Sequence, residues 1–290
     1  MATPPASILT TISALSVPVP SARKPSLQKP DMLSRRTGLI ILAVVTILLF
    51  SSLAFIPRIP QPLEFHDFAD KRPWLGIPNF GNVISNLPFA IFGIMGFVFI
   101  LVSNSSGSFK NSSERIPWLF FFLGLFLTAF GSSYYHLHPN NATLVWDRLP
   151  MTIAFTSLIA ALFAERISLR GGLFALGPLL LLGASSVFYW HLSELRGLGD
   201  LRFYFSVQAY SFLMLLLSLF LFSPRYTRTY DLGTVAAFYF AAMLLEHFDR
   251  QVFAILRFVS GHTLKHLAAS LSGYWLLRML QLRRPLVSSE

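Results

Sequence analysis

Runs of apolar residues, separated by charged residues, prolines and polar turns, follow one another along most of the chain. A helix needs about 20 apolar residues to cross the hydrocarbon layer of a bilayer. The pattern predicts eight spanning helices, at 37–57, 82–102, 117–135, 149–164, 171–190, 203–222, 232–245 and 262–280. The predicted fold is therefore all-α, a polytopic bundle of transmembrane helices.

The last two of these segments are the weaker candidates. Segment 232–245 is short for a span, and segment 262–280 contains Lys265 and two histidines. Polar residues that face the interior of a helix bundle would explain this shortfall in hydropathy. Lys and Arg residues support the count of eight, because they are more abundant in the N-terminal tail and in the loops that eight spans place on its side. This bias predicts that both termini are cytoplasmic.

Composition agrees with a bilayer environment. The chain is 54% hydrophobic and 12% charged, with a mean hydropathy of +0.59, whereas soluble domains carry about 25% charged residues. It has no cysteine, which excludes disulfides, thiolate metal sites and cysteine nucleophiles. The net charge of +10 is assigned to loops and to contact with anionic lipid headgroups rather than to nucleic-acid binding.

The ends of the chain differ from its apolar body. Residues 1–36 are rich in Ser and Pro and are basic, with a single acid, Asp31. This composition suits a disordered cytoplasmic tail or an organellar targeting segment, and both interpretations remain open. Residues 282–290 are predicted to form a short cytoplasmic tail.

Three histidines are candidate metal ligands. His262 and His266 are four residues apart, which on a helix places both imidazoles on one face. His136 lies at the end of the third predicted span, on the same non-cytoplasmic side as the start of the eighth. Three neutral imidazoles and a water form an open, catalytic type of zinc site. His138, in the sequence HPNN, is interpreted as a loop residue instead.

Two further polar residues are candidates for catalysis at the same depth. Asp147 begins the fourth predicted span, and Ser132 lies one helical turn before His136. A carboxylate can move the proton of an attacking water, and a hydroxyl can stabilise an oxyanion. The alternatives are that Asp147 pairs with Arg148 or caps a helix, and that Ser132 only permits close helix packing.

Together these residues resemble the alkaline ceramidase family, which is related to the adiponectin-receptor-like proteins. The resemblance rests on Ser132-x3-His136-x10-Asp147 followed by His262-x3-His266. It is extended by DRLPM at 147–151, similar to the family's DELPM, and by PNFGNVISNLPF at 78–89, similar to its EFWNTxSN. The likeness covers about residues 64 to 281, so the seven-span core would occupy 58–281 and the segment 37–57 would be an extra N-terminal span.

The resemblance implies a zinc-dependent hydrolase that cleaves the amide of ceramide or phytoceramide into a sphingoid base and a fatty acid. It implies zinc at His136, His262 and His266, with Ser132 and Asp147 assisting the attacking water. It also implies the endoplasmic reticulum or Golgi as the location, while the basic tail leaves a plastid or mitochondrial membrane open.

The sequence departs from the family at two places. Asn79 replaces the glutamate of EFWN, and the preceding acids have a different spacing, so calcium binding stays open. Arg148 replaces the glutamate of DELP beside the candidate catalytic aspartate, which predicts an altered headgroup preference.

Three other functions remain as alternatives. A membrane receptor or scaffold of the adiponectin-receptor-like kind would keep the histidines around a structural zinc. A hydrolase of a different lipid amide or ester would use the same residues. A metal transporter is disfavoured, since it predicts polar residues at mid-depth along several spans, whereas here they cluster at one end.

Overall fold

The structure is a computed structural model that describes residues 33–102 and 107–287. It is about 75% helical, and the described residues contain no strand. Their helices are α1 (Arg35–Ser52), α2 (Phe80–Ile84), α3 (Leu87–Val102), α4 (Arg115–Leu137), α5 (Asn141–Arg166), α6 (Leu169–Leu195), α7 (Arg202–Leu221), α8 (Asp231–His247), α9 (Asp249–Leu256) and α10 (Gly261–Leu282). The predicted all-α helical bundle is confirmed. Most of the N-terminal tail and the end of the C-terminal tail lie outside the described residues.

All eight segments that the apolar pattern marked are helical. Six helices are long and apolar enough to cross a membrane: α1, the continuous α2–α3 unit, α4, α5, α6 and α7. Of the helices that correspond to the eight predicted spans, α8 and α10 are not long and apolar enough to meet this criterion. They correspond to the two segments that were the weaker candidates in the sequence. The membrane-helical nature of the protein is thus clear, and the count of eight spans stays a prediction.

Helix α5, which contains the fourth predicted span, begins earlier than its apolar stretch indicated. The side chain of Asn140 accepts hydrogen bonds from the backbone of Ala142 and Thr143, and the Thr143 hydroxyl bonds back to the backbone of Asn140. This capping box starts α5 at Asn141, ahead of the predicted 149. Asp147 therefore lies inside α5 rather than at its beginning.

Helices α4 and α5 approach each other very closely next to the polar end of the bundle. A Cβ atom on Gly131 would lie 1.9 Å from the carbonyl oxygen of Trp146. Pro150, four residues after Trp146, has no N–H to bond that carbonyl. The glycine therefore allows a contact that brings the end of α4 against the Asp147 turn of α5.

The N-terminal helix α1 lies at the edge of the bundle. Helix α1 packs on α7 and buries only Gly38 and Leu42. Its C-terminal end is connected to the start of α7 by Arg202, whose guanidinium donates to the carbonyl oxygen of Leu53 at 2.9 Å. Arg202 is itself paired with Asp200 at 2.7 Å.

Candidate metal centre

Three histidines from two helices meet in the interior of the bundle. His136 is on the last turn of α4, and His262 and His266 are on the first two turns of α10. They are 1%, 5% and 4% exposed, respectively. Their potential ligand atoms all lie within 4.8 Å of one another, and each pair of ring centroids is 4.9 Å apart. The structure thus brings together the three residues that the sequence marked as ligands.

The spacing of the imidazole nitrogens fits a single metal ion. The Nε2 atoms of His136 and His262 are 3.3 Å apart. Two nitrogens bound to one tetrahedral zinc at about 2.0–2.1 Å would be separated by about 3.3–3.4 Å. An N–H···N hydrogen bond could join one pair of rings, but it would not account for three rings at equal spacing. The group can hold a first-row metal ion, and imidazoles alone do not select among zinc, copper, iron and nickel.

The tautomer of His266 is determined by its neighbour on α2. The Ser85 hydroxyl lies 2.8 Å from Nδ1 of His266 and donates its only hydrogen to the carbonyl oxygen of Asn82 at 3.2 Å. With that bond made, Ser85 is an acceptor for Nδ1–H, and in this tautomer Nε2 of His266 is unprotonated. An imidazole in this state is ready to bind a metal.

Short helix α2 supports the histidines through further polar contacts. The Asn79 side chain donates to the carbonyl oxygen of His136 at 2.9 Å, and the Thr263 hydroxyl donates to the Asn82 side chain at 2.9 Å. Asn79, Asn82 and Ser85 all belong to the segment 78–89 that carried part of the family resemblance. The function of this segment in the structure is to connect α4 to α10 around the histidines.

The start of α10 is held from outside by an acidic residue that the sequence did not identify. Asp249 accepts a hydrogen bond from the backbone N–H of His262 at 2.7 Å and another from that of Ala69 at 2.9 Å. Its place shortly before His262 in the chain was the only available signal.

Phe68 covers the histidines on the side where Asp249 joins the loop to the start of α10. Its ring centroid is 4.7 Å from those of both His136 and His262, and the residue is 4% exposed. The loop that carries Phe68 is held by charge pairs, since Asp67 contacts Lys71 and Arg250. The centre is therefore closed toward this loop.

The neighbouring acid, Asp70, is also occupied by a basic side chain. Hydrogen bonds from Arg72 hold the pKa of the Asp70 carboxyl below its usual value. A calcium ion would have to compete with these guanidinium contacts. Calcium dependence therefore stays a separate question.

A cavity of about 270 Å³ reaches the histidine cluster at His266. Its polar end contains His266 together with other hydrogen-bonding side chains: Ser132, Asp147, Arg148, Gln208, Glu246 and Lys265. Most of the remainder is apolar and includes Phe89, Phe121, Leu125, Met151, Phe155, Leu158, Phe212, Leu215 and Leu276, with a few hydroxyl groups, such as those of Thr128 and Ser211, among them. A single chamber thus connects the metal centre with a surface suited to a hydrocarbon chain.

Asp147 and Ser132, the two candidate catalytic residues, line the same cavity as His266. Both are buried, at 9% and 2% exposure, and the Ser132 hydroxyl interacts with the Asp147 carboxyl. Asn140, not Asp147, caps α5. The alternative that Asp147 caps the helix is therefore wrong, and among the ion pairs of the described residues none joins Asp147 to Arg148.

Two groups at the polar end of the cavity were missed in the sequence. Lys265 is paired with Glu246 from α8. The hydropathy pattern marked Lys265 as anomalous but gave no indication of its partner. His138 is the exposed C-cap of α4 and lies outside the histidine cluster, as predicted for a loop residue.

A scan of family models finds no match to this chain, and a search of curated proteins finds none either. The resemblance therefore rests on the motif residues and on their arrangement around the centre.

Proposed function

We propose that this protein is a zinc-dependent integral-membrane amidase of the alkaline ceramidase type, which hydrolyses the N-acyl bond of a ceramide-class lipid. The observation that carries the proposal is the shared chamber, since His266, Asp147 and Ser132 line one cavity whose wall is mostly apolar. A receptor with a structural zinc would need no such chamber beside its metal, and structural zinc sites are closed by four protein ligands.

The donor set suits the chemistry required. Zinc held by three neutral imidazoles supplies a Lewis acid that polarises an acyl carbonyl and acidifies a water molecule. His136, His262 and His266 would hold it. The hydrogen bond between Ser85 and His266 maintains the neutral, ligating form of that imidazole.

Residues of the chain account for substrate binding and proton movement. The apolar wall, from Phe121 to Leu276, holds the acyl chain, and this places the amide at the polar end. The Asp147 carboxylate accepts a proton from the attacking water and delivers it to the leaving amine. The Ser132 hydroxyl donates to the oxygen of the scissile carbonyl as it becomes negative. Phe68 excludes bulk water from the loop side.

The test is metal analysis combined with product analysis. The full chain, purified in detergent, should contain close to one zinc and should release free fatty acid and sphingoid base from ceramide or phytoceramide, as detected by mass spectrometry. His262→Ala should lose both the metal and the activity. His138→Ala, which alters an exposed histidine on the same side, should keep both. Zinc-free active protein, or zinc-loaded protein that cleaves no N-acyl lipid, would overturn the proposal.

A further inference from the structure

A buried arginine next to the candidate catalytic aspartate forms no close ion pair within the described residues. Arg148 is 4% exposed and lines the cavity. One terminal nitrogen, Nη2, donates to the Gln61 side chain at 2.7 Å, while Nη1 has no hydrogen-bond partner among the described residues. The ion pairs within the described part of the chain do not include this guanidinium. The positive charge of Arg148 is therefore buried, and the only hydrogen-bond acceptor it has among the described residues is the neutral side chain of Gln61.

Aromatic rings surround the guanidinium. Its central carbon lies 4.2 Å from the ring centroid of Trp190, 4.7 Å from that of Tyr204 and 5.6 Å from that of Phe65. Ring faces attract a cation, but they do not accept the directed hydrogen bond that a free N–H requires. Burial of an unpaired charge is costly, so the site lacks an anionic oxygen acceptor.

The carboxylates nearest to this cage are engaged elsewhere. Asp147 interacts with Ser132, and Glu246 is paired with Lys265. Glu194, on the same helix as Trp190, accepts hydrogen bonds from other partners: the indole of Trp190, the backbone N–H of Gln61 and the side chain of Asn141. The Nη1 group of Arg148 thus has no acceptor among the described residues, although Arg148 itself lines the cavity.

We propose that Arg148 binds an anionic oxygen carried by the lipid close to its acyl amide, and that it makes the site selective for acidic N-acyl lipids over neutral ones. The oxygen belongs to a carboxylate, as in an N-acyl amino acid, or to a phosphate, as in a phosphorylated ceramide. The inference rests on the proposed function in one respect, which is that the cavity is the substrate site. Arginine suits this role because its planar fork matches both anions.

Binding of matched lipid pairs to the full chain in detergent tests the proposal. N-oleoylglycine and N-oleoylethanolamine share an acyl amide and differ in carboxylate against hydroxyl. Ceramide 1-phosphate and ceramide of equal chain length differ in the phosphate. Loss of a charge-assisted hydrogen bond changes affinity by about tenfold or more. The wild type should therefore bind the acidic lipid of at least one pair about tenfold more tightly than its neutral partner. A preference within the first pair identifies a carboxylate as the bound anion, and a preference within the second identifies a phosphate.

Variants locate the preference at Arg148. Arg148→Gln should lose the preference while binding the neutral lipid as before, and Arg148→Lys should retain part of it. Arg196→Gln, which alters an exposed arginine at the end of α6, should bind like the wild type. Should Arg148→Gln fail to fold, Gln61→Glu gives the guanidinium an internal carboxylate and should lower affinity for the acidic lipid alone by about tenfold.

The two proposals fail in distinguishable ways. Equal binding of both members in both pairs, or a preference that survives Arg148→Gln and Gln61→Glu, overturns the role of Arg148 even if the protein hydrolyses ceramide. Selective binding without any hydrolysis overturns the amidase proposal and leaves the anion site in place.

Discussion

The Ser85 hydroxyl and the Nδ1 atom of His266 are 2.8 Å apart, although the two residues are separated by 181 positions in the chain. The contact connects α2 to α10 and determines which nitrogen of the imidazole is free. Partners of this kind on metal-binding histidines change metal affinity by about 10–100-fold.

Ser85→Ala should therefore weaken metal binding by about 10–100-fold with little change in overall fold. The measurement is a competition titration with a zinc chelator on purified protein. Ser270→Ala is the matched control, because the Ser270 hydroxyl is also buried on α10 but bonds to the carbonyl oxygen of Leu267 in its own helix. Equal zinc affinities for the two variants would exclude a positioning role for Ser85.

Asp147→Asn should separate metal binding from turnover. The amide keeps the size of the side chain but does not accept the proton of an attacking water, so turnover should fall by about 10²–10⁴-fold. Zinc content should stay at the wild-type level, since Asp147 is not among the clustered ligands. Glu64→Gln, at an exposed acid in the loop before Phe68, should leave both quantities unchanged. Full turnover in Asp147→Asn would exclude the general-base role.

The Asp200–Arg202 pair makes a contribution to stability that depends on pH. Hydrogen bonds from Arg202 lower the pKa of Asp200 from 3.8 to about 2. A carboxyl with a lowered folded-state pKa stabilises the protein above its unfolded pKa, and this stabilisation is lost as the pH falls through the folded value. Asp200→Asn should therefore lower the melting temperature at neutral pH.

The gap in melting temperature between wild type and Asp200→Asn should narrow as the pH falls from about 3.8 toward 2. Thermal unfolding in detergent, followed by far-UV circular dichroism, measures it. A gap of constant size across this range would mean that the ion pair is not its cause.

Phe68→Ala should accelerate metal release. The ring covers His136 and His262 but supplies no ligand, so its removal should increase the rate at which a soluble chelator extracts the ion. The equilibrium affinity should change much less. Phe258→Ala, at an exposed phenylalanine in the loop before α10, is the control. An unchanged extraction rate in Phe68→Ala would show that the ion leaves by another path.

The sequence predicted the helices and the metal ligands because both leave periodic signals. Apolar stretches report which segments avoid water, and the four-residue spacing of His262 and His266 reports a shared helix face. The alternation of sides then placed His136 at the same depth. These inferences require only the order of spans along the chain.

The partners of buried polar groups leave no such signal. Gln61 and Arg148 are 87 positions apart, and Phe68 comes from a loop without periodicity. Lys265 and Glu246 are paired through the packing of α10 on α8. A hydropathy pattern shows that a polar residue lies within a predicted span. It does not show which residue pairs with it, because that depends on how the helices pack against one another.

The position of Phe68 also has a consequence for biogenesis. Its loop is fastened by Asp249 to the start of α10, so the covering ring and the second ligand helix reach their places together. An ion that reaches the three histidines from the loop side, rather than through the chamber at His266, would have to enter before this loop docks. Metal acquisition would then be a step of membrane assembly, and the mature protein would exchange its ion slowly with the surrounding pool.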